Sequence, residues 1–215
     1  MTTAPPEVPS RTRVPERATA QPSPHRLAGV SSVRLALPPA IGRRIGRFDR
    51  AVDAAVAKKL RGRPAVDQVF YTASALGDFS LLWHLIGTTR ALGSPRHERQ
   101  AVRLAVSLGV ESVLVNHGVK SLFRRTRPTW EQHHHHRLRH PSSSSFPSGH
   151  ATSGFMAATL LADQSHHGWP VWYGLATVVA ASRVHVGIHH ASDVLVGAVV
   201  GTALGRVVLR VWPVS

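Results

Sequence analysis

The chain has 215 residues, no cysteine, and 26 lysines and arginines against 11 acidic residues, which gives a net charge of +15. Without cysteine there is no disulfide scaffold, no thiolate nucleophile and no cysteine zinc site. The positive excess points to an anionic partner, but apolar stretches interrupt it; the continuous basic face of a nucleic-acid binder is absent, as are helix-turn-helix, zinc-finger and RNA-binding signatures.

Residues 1–40 are rich in Pro, Arg, Ser and Thr with no sustained apolar period, which predicts a disordered basic tail. No apolar run near the start reads as a secretory signal. From Ile45 the apolar residues Ile45, Phe48, Val52, Val56 and Leu60 recur at helical spacing, with Arg50, Lys58 and Lys59 on the other face. An amphipathic helix over 45–63 is expected, lying on a membrane surface or packed as a soluble helix.

Apolar segments follow at Phe70–Leu92, Ala101–Val119, Ala151–Ala162, Pro170–Ala181 and Val194–Trp212. Each approaches the roughly 20 residues that a spanning helix needs once its polar ends are counted. Gly197, Gly201 and Gly205 form a small-residue stripe that permits close helix packing in lipid. The predicted fold class is all-α: a membrane bundle of about five spanning helices, multi-pass in the cell membrane, over residues 66–213.

Three clusters carry the chemistry. Lys120 and Arg127-Pro128 follow the second apolar segment, Pro147-Ser148-Gly149-His150 opens the third, and Ser182-Arg183, His189 and Asp193 bridge the fourth and fifth. Lys120, Arg127 and Arg183 place cations suited to phosphate at helix ends. Ser148 and Gly149 stand at a helix start, where free N–H groups attract anions. His189 and Asp193 are spaced i, i+4 on one face, so that a carboxylate can fix one ring nitrogen and leave the other free to attack. His150 is available as an acid for a departing oxygen. These are the parts that phosphoryl transfer requires.

Together the clusters match K-x6-R-P, P-S-G-H and S-R-x5-H-x3-D at every fixed position, with 18 residues between the first two motifs and 31 between the last two. In this the chain resembles the type 2 phosphatidic acid phosphatase family over residues 66–212. The resemblance implies that Lys120, Arg127 and Arg183 bind phosphate, with Ser148 and the Gly149 amide adding hydrogen bonds. It implies that His189 attacks phosphorus, oriented by Asp193, and that His150 protonates the leaving alcohol and then activates water. It implies a membrane lipid-phosphate substrate, diacylglycerol or polyprenyl, with no metal and no cofactor. The common membrane form has three spanning helices before its first motif, whereas two are counted here; Asp78-Phe-Ser-Leu-Leu-Trp83 is similar to a stretch in short actinobacterial members.

Outside the fixed positions, Arg124 and Arg125 read as solvated loop charges and His133–His136 as a low-complexity run, while His185 and His190 receive no role. Asp78 and Glu111 either pair with cations such as Arg103 or line the site. The rival readings are a soluble acid phosphatase or vanadate-dependent haloperoxidase with the same anion site, and a non-catalytic binder of anionic lipid. The Arg-rich N-terminal region predicts a cytoplasmic start, and two crossings from there set the first motif on the cytoplasmic side, whereas the family often places its site outside.

Overall fold

The computed structural model describes residues 38–128, 143–163 and 167–214, all within the compact unit Ser32–Ser215. Most of the expected tail and the whole His133–His136 run lie outside these residues. Among them every regular element is helical: α1 (Pro39–Lys59), α2 (Pro64–Gly77), α3 (Leu81–Ala91), α4 (Pro95–Val113), α5 (Lys120–Leu122), α6 (Gly149–Ala162), α7 (Trp169–His185) and α8 (Ala191–Val211). Four of them, α1, α2, α4 and α7, open on a proline in their first turn, where its missing N–H costs nothing. A π-helical turn, Leu114–Val119, joins α4 to α5.

The apolar run expected as one helix from Phe70 to Leu92 is broken. A 3-10 turn at Asp78–Ser80 separates α2 from α3, with Phe79 and Ser80 in the left-handed region at φ 53° and 58°. Even so, α2 and α3 act as one descending limb. Asp67 meets His185 at one end of α7, and Arg90 at the end of α3 stacks over Trp172 at the other. From that far end α4 climbs back: Arg103 donates to the Trp212 carbonyl and to Asp163, while Lys120 arrives beside Gly149. Next α6 descends, α7 rises and α8 descends, so five limbs run between a site end and a far end.

The central limb is α6, buried on nearly every side from Ala151 to Leu161. Its Met156, Ala157, Leu160 and Leu161 pack with Trp83, Leu104, Leu108, Ala176 and Val179 in one core. The small-residue stripe lies against it. A Cβ on Gly201 would fall 2.1 Å from the Thr152 carbonyl oxygen, one on Gly197 2.7 Å from the Ser148 oxygen, and one on Gly205 2.7 Å from Thr159 Cβ. Only glycine allows α8 this close.

Outward, α4 shows Val102, Val106, Val110 and Val113, and α8 shows Leu195, Val199, Val207 and Val211. Among the described residues α8 alone is long and apolar enough by itself to cross a membrane. The reasons are local: α6 and α7 have 14 and 17 residues, α2 and α3 are split, and α4 carries buried Arg103 and Glu111. Arg103 pairs with Asp163, not with Glu111 or Asp78.

The inward positions of α1 are not all apolar. Phe48 is exposed, and the inward position beside it belongs to Asp49, 5% exposed. Asp49 reaches Ser192, and Arg61, just past the helix, donates to the carbonyls of Val184 and His185. The stretch from Asp49 to Arg61 is therefore fastened across the site end.

Gly201→Ala is expected to lower thermal stability in detergent by about 1–3 kcal/mol, as overpacking a tight contact does. Gly174→Ala, where an added Cβ meets nothing within 4 Å, should be neutral or slightly stabilising. Equal unfolding midpoints for the two variants would contradict the close-contact account of the stripe.

Candidate active site

The three motifs meet at the site end. Lys120 Nζ is held by Asn116 Oδ1 at 2.8 Å and lies 3.7 Å from where a Gly149 Cβ would stand, so the first motif covers the opening of α6. Arg127 donates to the Ile188 carbonyl at 3.0 Å and lies 3.3 Å from His189 Nε2, joining the first motif to the third. The Ser148 N–H donates to the Asp193 carbonyl at 3.1 Å, joining the second to the third. Arg183 donates to Ser74 Oγ, and His150 Nε2 bonds the Ser74 carbonyl at 3.2 Å, so α2 ties these two together. Every predicted site residue is thus drawn into one neighbourhood.

His189 sits in the short connection between α7 and α8, 3% exposed. A guanidinium can only donate, so Arg127 at Nε2 makes that nitrogen the acceptor and puts the ring proton on Nδ1. Nδ1 faces Asp193 Oδ2 at 3.7 Å. Burial pushes the imidazole down to about 3; the neighbouring Asp193 carboxylate opposes the shift, and the charges of Arg127 and Arg183 add to it. The ring is accordingly neutral at ordinary pH, with a lone pair available. Asp193 also serves the fold, since its Oδ2 accepts from the His190 N–H at 3.0 Å and closes a capping box on α8.

Asp78 lines the site, with its Oδ1 3.1 Å from His150 Nε2. Gly77 leaves room for that ring, because a Cβ there would fall 2.5 Å from His150 Cδ2. Three of the buried side-chain atoms without a hydrogen-bond partner among the described residues belong to the motifs: Ser148 Oγ, Arg183 Nε and His189 Nδ1. A cavity of about 790 Å³ opens at the first motif, lined by Asn116, His117, Lys120, Arg124 and Arg127 among others.

Reading Arg125 as a solvated loop charge was wrong. Its guanidinium donates to Asp193 Oδ1 at 2.6 Å, to Ser192 Oγ at 2.7 Å and to Asp49 Oδ2 at 2.5 Å. Arg124 does stay exposed. His185 is a packing residue, bonded to Asp67 at 2.7 Å and stacked on Phe70, and His190 Nε2 reaches the Thr126 carbonyl.

A profile described as the PAP2 superfamily matches residues 100–215. The chain belongs to the PAP2 superfamily. It is also 32% identical over 170 residues to decaprenylphosphoryl-5-phosphoribose phosphatase from Mycobacterium tuberculosis, covering 77% of this chain and 91% of that protein. Undecaprenyl-diphosphatase from Bacillus subtilis is 30% identical, covering 66% and 72%. Among solved structures, a transmembrane PAP2-type phosphatidylglycerolphosphate phosphatase from Bacillus subtilis superposes with a TM-score of 0.60 at 25% identity, covering 81% of this chain and 87% of that one. This PAP2 protein is a phosphatase, and its all-helical fold is that of transmembrane members.

The neutral state of His189 has a signed consequence for stability. In the unfolded chain the imidazole takes a proton near 6.5, and in the folded chain only near 3. Between those values the unfolded state holds more protons, so stability falls as pH drops. His189→Gln is expected to flatten that fall between about pH 7 and pH 4 in denaturant titrations. An unchanged slope would remove the buried neutral imidazole from the account.

Proposed function

We propose that this PAP2 phosphatase is embedded in a membrane and hydrolyses the phosphomonoester or diphosphate of a polyprenyl lipid through a phosphohistidine. The observation that carries the reading is a neutral, buried His189, oriented by Asp193 and flanked by the cations of two motifs. A nucleophile must be unprotonated and its target neutralised, and this arrangement supports both at once.

The Nε2 lone pair of His189 forms an N–P bond as the P–O bond to the lipid breaks. The leaving oxygen takes a proton from His150, which enters this step as the imidazolium with its ring held through Nε2 by Asp78 and the Ser74 carbonyl. Water then attacks phosphorus, the N–P bond breaks, and the proton of water returns to His150; the products are inorganic phosphate and the lipid alcohol from a monoester, or inorganic phosphate and the lipid monophosphate from a diphosphate. Lys120, Arg127 and Arg183 take up charge on the phosphoryl oxygens, and Ser148 Oγ and the Gly149 N–H complete the cradle. Arg127, which contacts Nε2 in the free enzyme, passes its donor to a phosphoryl oxygen as substrate arrives.

Lipid as substrate and membrane as location are supported by the valine and leucine stripes exposed on α4 and α8, which a soluble acid phosphatase or haloperoxidase would not carry. The outward arginines of α1, Arg43, Arg44, Arg47 and Arg50, suit anionic headgroups at the same end as the site. The polyprenyl assignment is supported by relatives of 30% and 32% identity named for such lipids.

The enzyme is expected to partition with membranes until detergent is added. Purified, it should release phosphate from undecaprenyl diphosphate or decaprenylphosphoryl-5-phosphoribose faster than from phosphatidic acid or phosphatidylglycerophosphate. His189→Ala should lose at least about 10³-fold in turnover and the acid-labile phosphoenzyme with it. A phosphoenzyme that persists in this variant rules out His189 as nucleophile, and a preference for the diacylglycerol lipids rules out the polyprenyl assignment.

A further inference from the structure

We propose that Arg125 and Asp49 are positioning residues that set the orientation of the nucleophile, so that α1 is part of the catalytic apparatus. The inference rests on His189 as the attacking group. Asp193, 0% exposed, offers two carboxylate oxygens, and what occupies one decides how the other is aimed. Arg125 Nη1 takes Oδ1 at 2.6 Å, which leaves Oδ2 for the His190 N–H and for His189 Nδ1.

A guanidinium on a loop holds a carboxylate steady only when its own position is fixed. The second arm of Arg125 is fixed by Asp49, whose Oδ2 accepts from Nη2 at 2.5 Å. Asp49 is fixed in turn by Ser192, whose N–H and Oγ both donate to it at 2.9 Å. The circuit Asp49, Arg125, Asp193 and Ser192 joins α1, the loop after α5, and the first turn of α8. It contains two acids around one guanidinium fork, a geometry that lysine cannot reproduce. Of the three side chains that the Arg125 guanidinium bonds, Asp193, Ser192 and Asp49, it is Asp193 that faces the nucleophile.

The role is testable apart from a merely structural one. Arg125→Gln is expected to lower kcat and the rate of phosphoenzyme formation by about tenfold to a hundredfold, as losing an outer partner of an oriented histidine does. KM and inhibition by inorganic phosphate or vanadate should stay within about twofold, since Lys120, Arg127 and Arg183 are untouched. Arg125→Lys, which keeps the charge but engages one acid only, should recover part of kcat. Asp49→Asn should fall in the same direction by less, and the double variant Asp49→Asn with Arg125→Gln should lose no more than Arg125→Gln alone.

A loss in which KM and phosphate inhibition weaken in step with kcat would make Arg125 a loop brace, and the proposal would be overturned. An unchanged kcat in Arg125→Gln would overturn it too. Should Arg125→Gln fail to fold, Arg125→Lys and Asp49→Asn are read by the same split between kcat and phosphate inhibition. If His189→Ala itself keeps full turnover, the nucleophile assignment fails first, which separates the two ideas.

Discussion

The close approach of α6 and α8 is the contact on which the rest of the molecule depends. Gly197, Gly201 and Gly205 bring the backbone of α8 against the carbonyls and side chains of Ser148, Thr152, Met156 and Thr159. At its upper end the same contact becomes chemistry, because the Ser148 N–H reaches the Asp193 carbonyl. The second and third motifs are therefore registered by main-chain bonds and by a glycine seam, not by flexible side chains alone. In lipid, where apolar surface gains little from leaving its surroundings, close packing and satisfied backbone groups are what hold helices together.

Around that frame the site reconciles two opposed demands. In the proposed reaction three cations gather one tetrahedral anion, and two of them, Arg127 and Arg183, also bear on His189. Positive charge and burial both disfavour protonation of the imidazole, so on that proposal the groups that attract the substrate also keep the nucleophile in its reactive form. Asp193 counters this only in part, at 3.7 Å from Nδ1. One electrostatic arrangement thus serves binding and activation together.

Much of this was legible in the sequence. Lys120, Arg127, Ser148, Gly149, His150, Arg183, His189 and Asp193 declare themselves because each stands at a helix end in a fixed local interval, and the glycine stripe declares itself by its period of four. What escaped depends on contacts across long stretches of chain. Arg125 acquires its meaning from Asp49, 76 residues earlier, and Asp49 hides on a helix face whose pattern favoured Phe48. Asp78 was ambiguous until the turn at Phe79 and Ser80 set it against His150. That turn replaced an expected continuous helix, since apolar periodicity alone carries no signal for two residues in the left-handed region. Only the Gly77-Asp78 pair hinted at a break.

The five limbs have an odd parity. The bundle is entered at Pro64 on the site end and left near Trp212 on the far end, where Arg103 holds the Trp212 carbonyl. In the proposed membrane placement, such a fold puts the exit from the bundle in the leaflet opposite the candidate site, while α1 shares the site's leaflet. In that placement the compartment that receives the released phosphate is coupled to the side on which the bundle is left, and a single inversion of the bundle would exchange both together.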